Sequence, residues 1–259
     1  HNTLDMYVEE NGNRFVKHHL IDFASTLGSG ASGASPKYNW EYGFDGPATL
    51  RRLVTLGLVE DEWRTFERPE DLPEVGYFES EPFAVSKFEP LTPNSAFARM
   101  TDRDGYWAAK IVSGFSNRIL TATTRTAGYE NPDVAPYLAR VLAERRDIIA
   151  RDYFTRVCPV DFFRVRGGHL AATDLGVDRG IWDASATSYR VRQWPVDPER
   201  NATADIGGWT AVDVPEVGLG EGGAPYRAVE FQVDRGDGWG PSVIVYVAAA
   251  SGRVVGVER

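Results

Sequence analysis

The chain has 259 residues, a formal net charge of −9 and a single cysteine. A chain of this length can bury a hydrophobic core without covalent cross-links, and one cysteine excludes an internal disulfide. The excess of acidic side chains repels the phosphate backbone of nucleic acids, and no apolar run reaches the roughly 20 residues of a transmembrane helix. We therefore expect a globular protein with no nucleic-acid partner and no membrane span.

The first 23 residues predict a β-hairpin. Residues 15–23 form a run rich in apolar and β-branched side chains, and Asn11-Gly12-Asn13 is a turn signal after Met6-Tyr7-Val8. The sequence starts at His1 with neither an initiator methionine nor an apolar signal segment. We therefore expect that its first residue already lies inside a folded domain.

Helical spacing of apolar residues appears at residues 48–58 and then dominates residues 104–154. The pattern predicts helices at 106–115 and 117–127, followed by a long helix with Asp133 as its N-cap. Apolar residues recur in this long segment at steps of three and four, so one face should be buried. These residues are Val134, Leu138, Val141, Leu142, Ile148, Ile149 and Tyr153.

After Gly167 the chain consists of short alternating runs separated by glycine, aspartate and proline, which predicts a small antiparallel β domain. The alternation in 226–233 indicates a half-buried strand, and the apolar run 243–247 indicates a central strand. We predict an α+β fold: a mostly helical lobe at 1–166 with an N-terminal β-hairpin, then the β domain at 167–259. The predicted strands of that domain are 188–194, 209–214, 226–233, 242–248 and 253–257.

Asn2 and Asp22 lie on the two arms of the predicted hairpin, and Asp22 ends the sequence Leu20-Ile21-Asp22. This pattern resembles the catalytic-loop asparagine and the metal-binding aspartate of protein-kinase-like folds, including atypical and secreted bacterial relatives. The resemblance implies that Asn2 and Asp22 bind Mg²⁺ and, through it, the phosphates of ATP.

More broadly, the chain is similar to the C-terminal part of an uncharacterised bacterial protein family, often secreted, that resembles atypical kinase-like folds. The segments that match, in order, are 2–5, 18–23, 106–111 and 144–147. The resemblance implies a kinase-like C-lobe in a periplasmic or secreted protein. The catalytic aspartate of such folds lies five residues before Asn2, and the nucleotide-clamping lobe lies further upstream. We therefore expect phosphoryl transfer only in a longer form that contains this lobe, and an inactive, pseudokinase-like fragment here.

Two other functions stay open from the sequence. The chain is alternatively a non-catalytic binding or scaffolding module of the cell envelope with a protein partner. A third interpretation is a carbohydrate or peptide platform built from aromatic rings of the β domain, against which we weigh simple core packing. The tryptophans of this platform are Trp182, Trp194, Trp209 and Trp239.

The remaining motifs favour structural roles. Gly28-Ser29-Gly30-Ala31-Ser32-Gly33 fits the spacing of a dinucleotide fingerprint, but Pro36 breaks the helix that must follow, so the pattern predicts a loop. His18 and His19 are adjacent on a strand and point to opposite faces, which excludes a shared metal. Three acidic runs are expected at the surface, at residues 60–62, 67–71 and 79–81.

Overall fold

The computed structural model describes residues 3–20, 27–30, 33–34, 45–59, 66–89, 95–197, 206–220 and 223–259. Helices and strands are mixed, and every described strand pair is antiparallel. The predicted α+β class is therefore confirmed. Among the described helices, none combines the length and the apolar character that crossing a bilayer requires.

The chain divides into two compact units that do not follow its linear order. The first unit contains His1–Asn94 and Asn117–Glu144, and the second contains Ser95–Ser116 and Arg145–Arg259. The division into two units does not test the domain boundary predicted between residues 166 and 167, so that boundary stays a prediction.

The first unit begins with two paired strands, β1 (Thr3–Glu10) and β2 (Asn13–Leu20). Asn11 and Gly12 connect them with φ angles of 54° and 77°. A two-residue hairpin turn of this type needs positive φ at both positions, and asparagine followed by glycine meets that need at the lowest steric cost.

In its described residues, the glycine-rich segment after this hairpin forms two short strands. Strands β3 (Ser29–Gly30) and β4 (Gly33–Ala34) pair with each other in an antiparallel register. Gly28 has a φ of 80°, and its backbone lies directly against that of Gly76, where neither residue has room for a Cβ. These glycines therefore serve close backbone approach rather than the dinucleotide fingerprint.

The start of the longest helix packs on a segment of the first unit that has no regular structure. Helix α1 (Gly46–Val54) is capped by Asp45, whose carboxylate accepts from the backbone N–H of Ala48 at 2.9 Å. The core forms where the start of the longest helix meets buried side chains of the segment 72–78. Its buried members are Leu72, Val75, Phe78, Val134, Leu138 and Val141.

The remaining helices are distributed over the two units. In chain order they are α2 (Ser95–Ala98), α3 (Asp102–Val112), α4 (Asn117–Arg125), α5 (Val134–Arg156) and α6 (Leu175–Asp178), with 3₁₀ turns at Val85–Lys87 and Ala184–Ala186. Helix α3 starts with a complete capping box between Thr101 and Asp104, which satisfies two of its first N–H groups.

The second unit contains two antiparallel sheets. The three-stranded sheet has the order β5 (Val160–Arg166), β6 (His169–Asp174), β9 (Glu216–Gly218). The five-stranded sheet has the order β12 (Arg253–Glu258), β11 (Trp239–Ala248), β10 (Tyr226–Asp234), β7 (Ser188–Val196), β8 (Thr210–Val212).

The two sheets of this unit enclose one hydrophobic core. Val160 and Leu170 of the smaller sheet cluster with Val229, Phe231 and Val245 of the larger one, and all five are fully buried. We call the side of the five-stranded sheet that carries these residues its inner face. The opposite side is its outer face.

The burial of β10 and β11 differs from the sequence prediction. The strand predicted to be half buried, β10, is the central strand, and Glu230 on its outer face is only 6% exposed. Strand β11 is interior but has one half-buried face, which includes Ile244 and Tyr246. The prediction failed because Glu230 reads as a solvent-facing residue, whereas tertiary contacts cover it.

Candidate functional site

The residues predicted to bind magnesium, Asn2 and Asp22, both lie outside the described residues. The same holds for the side chain of His18. Among the residues that the structure does describe, no group of three or more histidine, cysteine, aspartate or glutamate side chains is arranged to hold a metal ion. The kinase-like site therefore stays a prediction.

Three of the predicted platform tryptophans form an aromatic–arginine ladder with two arginines of β7. Arg190 lies 4.3 Å from the ring of Trp239 and 4.4 Å from that of Trp209. Arg192 lies 4.5 Å from the ring of Trp209 and 5.8 Å from that of Trp194. The contacts thus alternate between indole and guanidinium, at distances typical of cation–π interactions.

The ladder covers the outer face of the five-stranded sheet. Its arginines also bind β10, since Arg192 Nε lies 2.6 Å from the Glu230 carboxylate and Arg190 donates to Gln232 Oε1. Trp209 contacts two guanidinium groups, which occupy ring surface that a sugar would need for stacking. Trp182 likewise contacts Arg151 and Arg235. The ladder is best explained as packing, not as a carbohydrate platform.

A second cluster surrounds the carboxylate of Asp161, the second residue of β5. Its Oδ2 accepts from Lys110 Nζ at 2.7 Å and from the Tyr106 hydroxyl at 2.8 Å, and Arg259 Nη2 lies 3.1 Å away. Burial alone would raise the pKa of Asp161, but these hydrogen bonds and the one from the Phe162 N–H hold it below its usual value. Both carboxylate oxygens accept hydrogen bonds, and the cluster ties helix α3 and the residue after β12 to β5.

Two further side chains of a reactive type, Cys158 and His169, have surroundings that do not activate them. Cys158 is 1% exposed, and burial raises the pKa of its thiol to about 12, so it carries no thiolate at neutral pH. His169 is exposed in the β5–β6 turn, where its Nδ1 lies 3.2 Å from the carbonyl oxygen of Gly167. Neither group is paired with a base or a nucleophile.

A cavity of about 390 Å³ lies at one end of the two sheets of the second unit. It is lined by turns and strand ends from both sheets. More than half of the described lining residues are glycine or alanine. These residues leave the space unfilled because they have little or no side chain. The lining residues are Val165, Gly168, Leu219, Gly220, Ala224, Tyr226, Arg227, Val247, Ala248, Ala249 and Gly252.

Arg227 is the charged residue of this lining. It pairs with Val247 of β11 and with Pro195 of β7 in the strand register, and it lies on the same face of β10 as Val229 and Phe231. Its half-buried side chain therefore starts from the inner face of the sheet. Within the described part of the chain it forms no hydrogen bond and no ion pair.

Sequence reasoning missed this cavity although one signal was available. The alternation of Val229, Phe231 and Val233 was recognised, and two residues further back the same face carries Arg227. A charge in an apolar row at the end of a strand indicates either a buried partner or a ligand. The clustering of Gly168, Gly220 and Gly252 around one space required the tertiary structure.

The chemistry of the lining favours binding over catalysis. Among the described lining residues, the polar side chains are those of Arg227 and Tyr226. No carboxylate, imidazole, thiol or amine from the described residues reaches the cavity to act as a general base or a nucleophile. Comparison with protein-family models, with curated proteins and with solved structures gave no match.

Proposed function

We propose that this chain is a non-catalytic binding module whose second unit holds a small, largely apolar ligand. The observation that carries the proposal is the cavity of about 390 Å³ between the ends of the two sheets. Ligand pockets are concave, mostly apolar, and typically about 300–1,000 Å³ in volume. The cavity lies near the lower end of that range, which favours a small ligand.

The position of the cavity also supports binding. Its walls are turns and strand ends attached to a core in which Val229, Phe231 and Val245 are fully buried. A rigid sheet with a site at its end is the arrangement in which loops commonly carry a ligand. Val165, Leu219 and Val247 supply the apolar surface on which such a ligand would pack.

Fluorescence of the neutral probe N-phenyl-1-naphthylamine tests the proposal. We expect the probe fluorescence to increase on binding, because the apolar walls of the cavity shield the dye from water. The increase should saturate at about one probe per chain. Ala224→Phe places an aromatic ring in the cavity and should weaken binding at least tenfold. Ala211→Phe is the matched control, since Ala211 is exposed on the edge strand β8 and lies outside the lining.

Two results would overturn the proposal. One is the absence of saturable probe binding by the wild-type chain. The other is equal binding by Ala224→Phe and the wild type, which would place the dye on exposed apolar surface elsewhere. Circular dichroism of each variant establishes that a lost signal does not come from unfolding.

ATP-dependent phosphoryl transfer by a kinase-like lobe stays a prediction for a longer form of the protein. It depends on Asn2 and Asp22 binding Mg²⁺ and ATP, and both residues lie outside the described chain. Magnesium-dependent thermal stabilisation by ATP, lost in Asp22→Ala but kept in Asp237→Ala at an exposed turn, would support it. No shift with any nucleotide would remove the reason for proposing it.

A further inference from the structure

Arg227 determines the chemical class of the ligand. Resting on the proposed binding function, we infer that the cavity takes an amphipathic anion: a single apolar chain with a carboxylate or phosphate headgroup bound by the Arg227 guanidinium. The apolar chain packs on Val165, Leu219 and Val247. The headgroup lies at the Arg227 end of the same space.

The first argument is the position of the charge. Val229, Phe231 and Val233 occupy the inner face of β10 with exposed fractions of 0%, 0% and 6%, and Arg227 is the next residue in that row. A strand places alternate residues on one face, so the guanidinium stem starts from a surface that is otherwise apolar. Partial burial of a cation without a partner is unfavourable, and a bound anion would remove that cost.

The second argument is the contrast with the other arginines of the same sheet. Arg190 donates to Gln232, Arg192 pairs with Glu230 at 2.6 Å, and Arg235 pairs with Asp174 at 2.8 Å. Arg227 has no such partner among the described residues. Arg190 and Arg192 of β7, and Arg235 directly after β10, are thus satisfied by the protein itself. Arg253 of β12 has no partner among the described residues either, but it is exposed, so Arg227 is the half-buried arginine of this sheet that is left for a ligand.

The third argument is the surroundings of the guanidinium. A Cβ built on Gly220 would lie in van der Waals contact with the guanidinium, 3.5 Å from Arg227 Nη1, so the charged group lies beside a residue that has no side chain. Among the described residues, no carboxylate belongs to the lining. The planar fork of arginine binds carboxylate and phosphate oxygens in pairs, which gives an anion both charge and direction.

The small volume limits the apolar part. A cavity of about 390 Å³ that also holds a headgroup suits one short chain rather than a fused ring system or a two-chain lipid. Affinity should therefore rise with chain length until the cavity is full. Each added pair of buried methylenes should tighten binding about fifteenfold, and the gain should then stop.

Competition against N-phenyl-1-naphthylamine tests the inference on the full chain. Octanoate should displace the probe with a Kd at least tenfold lower than that of methyl octanoate, since the ester keeps the chain and loses the charge. Octylamine should compete less well than methyl octanoate, because its ammonium group is repelled by the Arg227 guanidinium. Octyl phosphate in the same assay distinguishes a phosphate headgroup from a carboxylate, and hexanoate and decanoate define the chain length.

Variants of Arg227 assign the effect to this residue. Arg227→Ala should reduce the ratio of the Kd for methyl octanoate to the Kd for octanoate from at least tenfold to about one. Arg227→Lys should restore only part of that preference, because an ammonium keeps the charge without the fork. Arg253→Ala, at an exposed position of β12 outside the lining, is the matched control and should behave like the wild type.

The outcomes separate the two proposals. If the probe binds but octanoate and methyl octanoate compete equally, the ligand class is wrong and the binding function stands. If Arg227→Ala, folded by circular dichroism, keeps the preference for the anion, the role of Arg227 is wrong. If no probe binds to the wild-type chain, both proposals fail.

Discussion

Lys110 Nζ and the Asp161 carboxylate are 2.7 Å apart, and this contact fixes helix α3 to the second residue of β5. Both side chains are largely withdrawn from solvent, with exposed fractions of 29% and 13%. The same carboxylate oxygen accepts a hydrogen bond from the Tyr106 hydroxyl and faces Arg259, so three segments that are distant in sequence meet at one atom. Such a cluster has measurable consequences for stability.

Asp161→Asn should lower the free energy of unfolding by about 2 kcal/mol, because hydrogen bonds to a charged group contribute roughly 1.5–3 kcal/mol. Urea denaturation followed by circular dichroism measures this change. Asp237→Asn, at an exposed turn position, is the control and should have little effect. Equal stability of the Asp161 variant and the wild type would show that the cluster contributes nothing.

The contribution of Asp161 should also depend on pH in the acid range. Its pKa is lower in the folded state than the value of about 3.9 for an unfolded chain, so the stabilisation is present above that value. It is lost as the pH falls through the folded pKa. The difference in unfolding free energy between the wild type and Asp161→Asn should therefore be constant above about pH 5 and shrink below pH 4.

Arg192→Met should destabilise the chain by about 3 kcal/mol, because it leaves the buried Glu230 carboxylate without its partner. The double variant Arg192→Met/Glu230→Leu should recover much of this loss, since no unpaired charge remains. A double-mutant cycle in urea gives the coupling energy. Additive effects of the two changes would mean that the pair is not coupled.

Gly105→Ala should destabilise helix α3 although alanine is the better helix former. A Cβ on Gly105 would lie 1.9 Å from Cε1 of the Tyr153 ring, so the buried ring must move, at a cost of about 1–3 kcal/mol. Gly46→Ala at the first position of helix α1 meets no atom within 4 Å beyond its chain neighbours and should be close to neutral, since the following Pro47 disfavours a helical residue with a Cβ before it. Thermal denaturation of both variants checks this difference.

The Cys158 thiol should resist modification in the folded chain. It is fully buried, and with a pKa of about 12 its thiolate fraction at pH 8 is roughly 10⁻⁴. Ellman's reagent should react with one thiol per chain in concentrated urea and only slowly under native conditions. Complete reaction within seconds under native conditions, with an unchanged circular dichroism spectrum, would contradict the burial of the Cys158 thiol.

Local chemistry in the sequence determined most element positions of the second unit. The predicted strands 188–194, 226–233 and 242–248 correspond to β7, β10 and β11, and the long helix begins at Val134 after the predicted cap Asp133. These elements were predictable because alternating apolar residues, helical spacing and turn residues act over a few positions of the chain. Strands β5, β6 and β9 were not among the predicted strands.

Only the tertiary structure decided which side chains are buried, which are paired and which line a cavity. The sequence alone suggested that Glu230 is exposed and that the Trp209 ring is available, but Glu230 is paired with Arg192 and the Trp209 ring contacts two arginines. The place of Arg227 beside a cavity was also visible only in the tertiary structure, because the glycines that line this cavity come from separate turns. Burial, pairing and empty space depend on residues distant in sequence, and no local pattern encodes which of those residues meet.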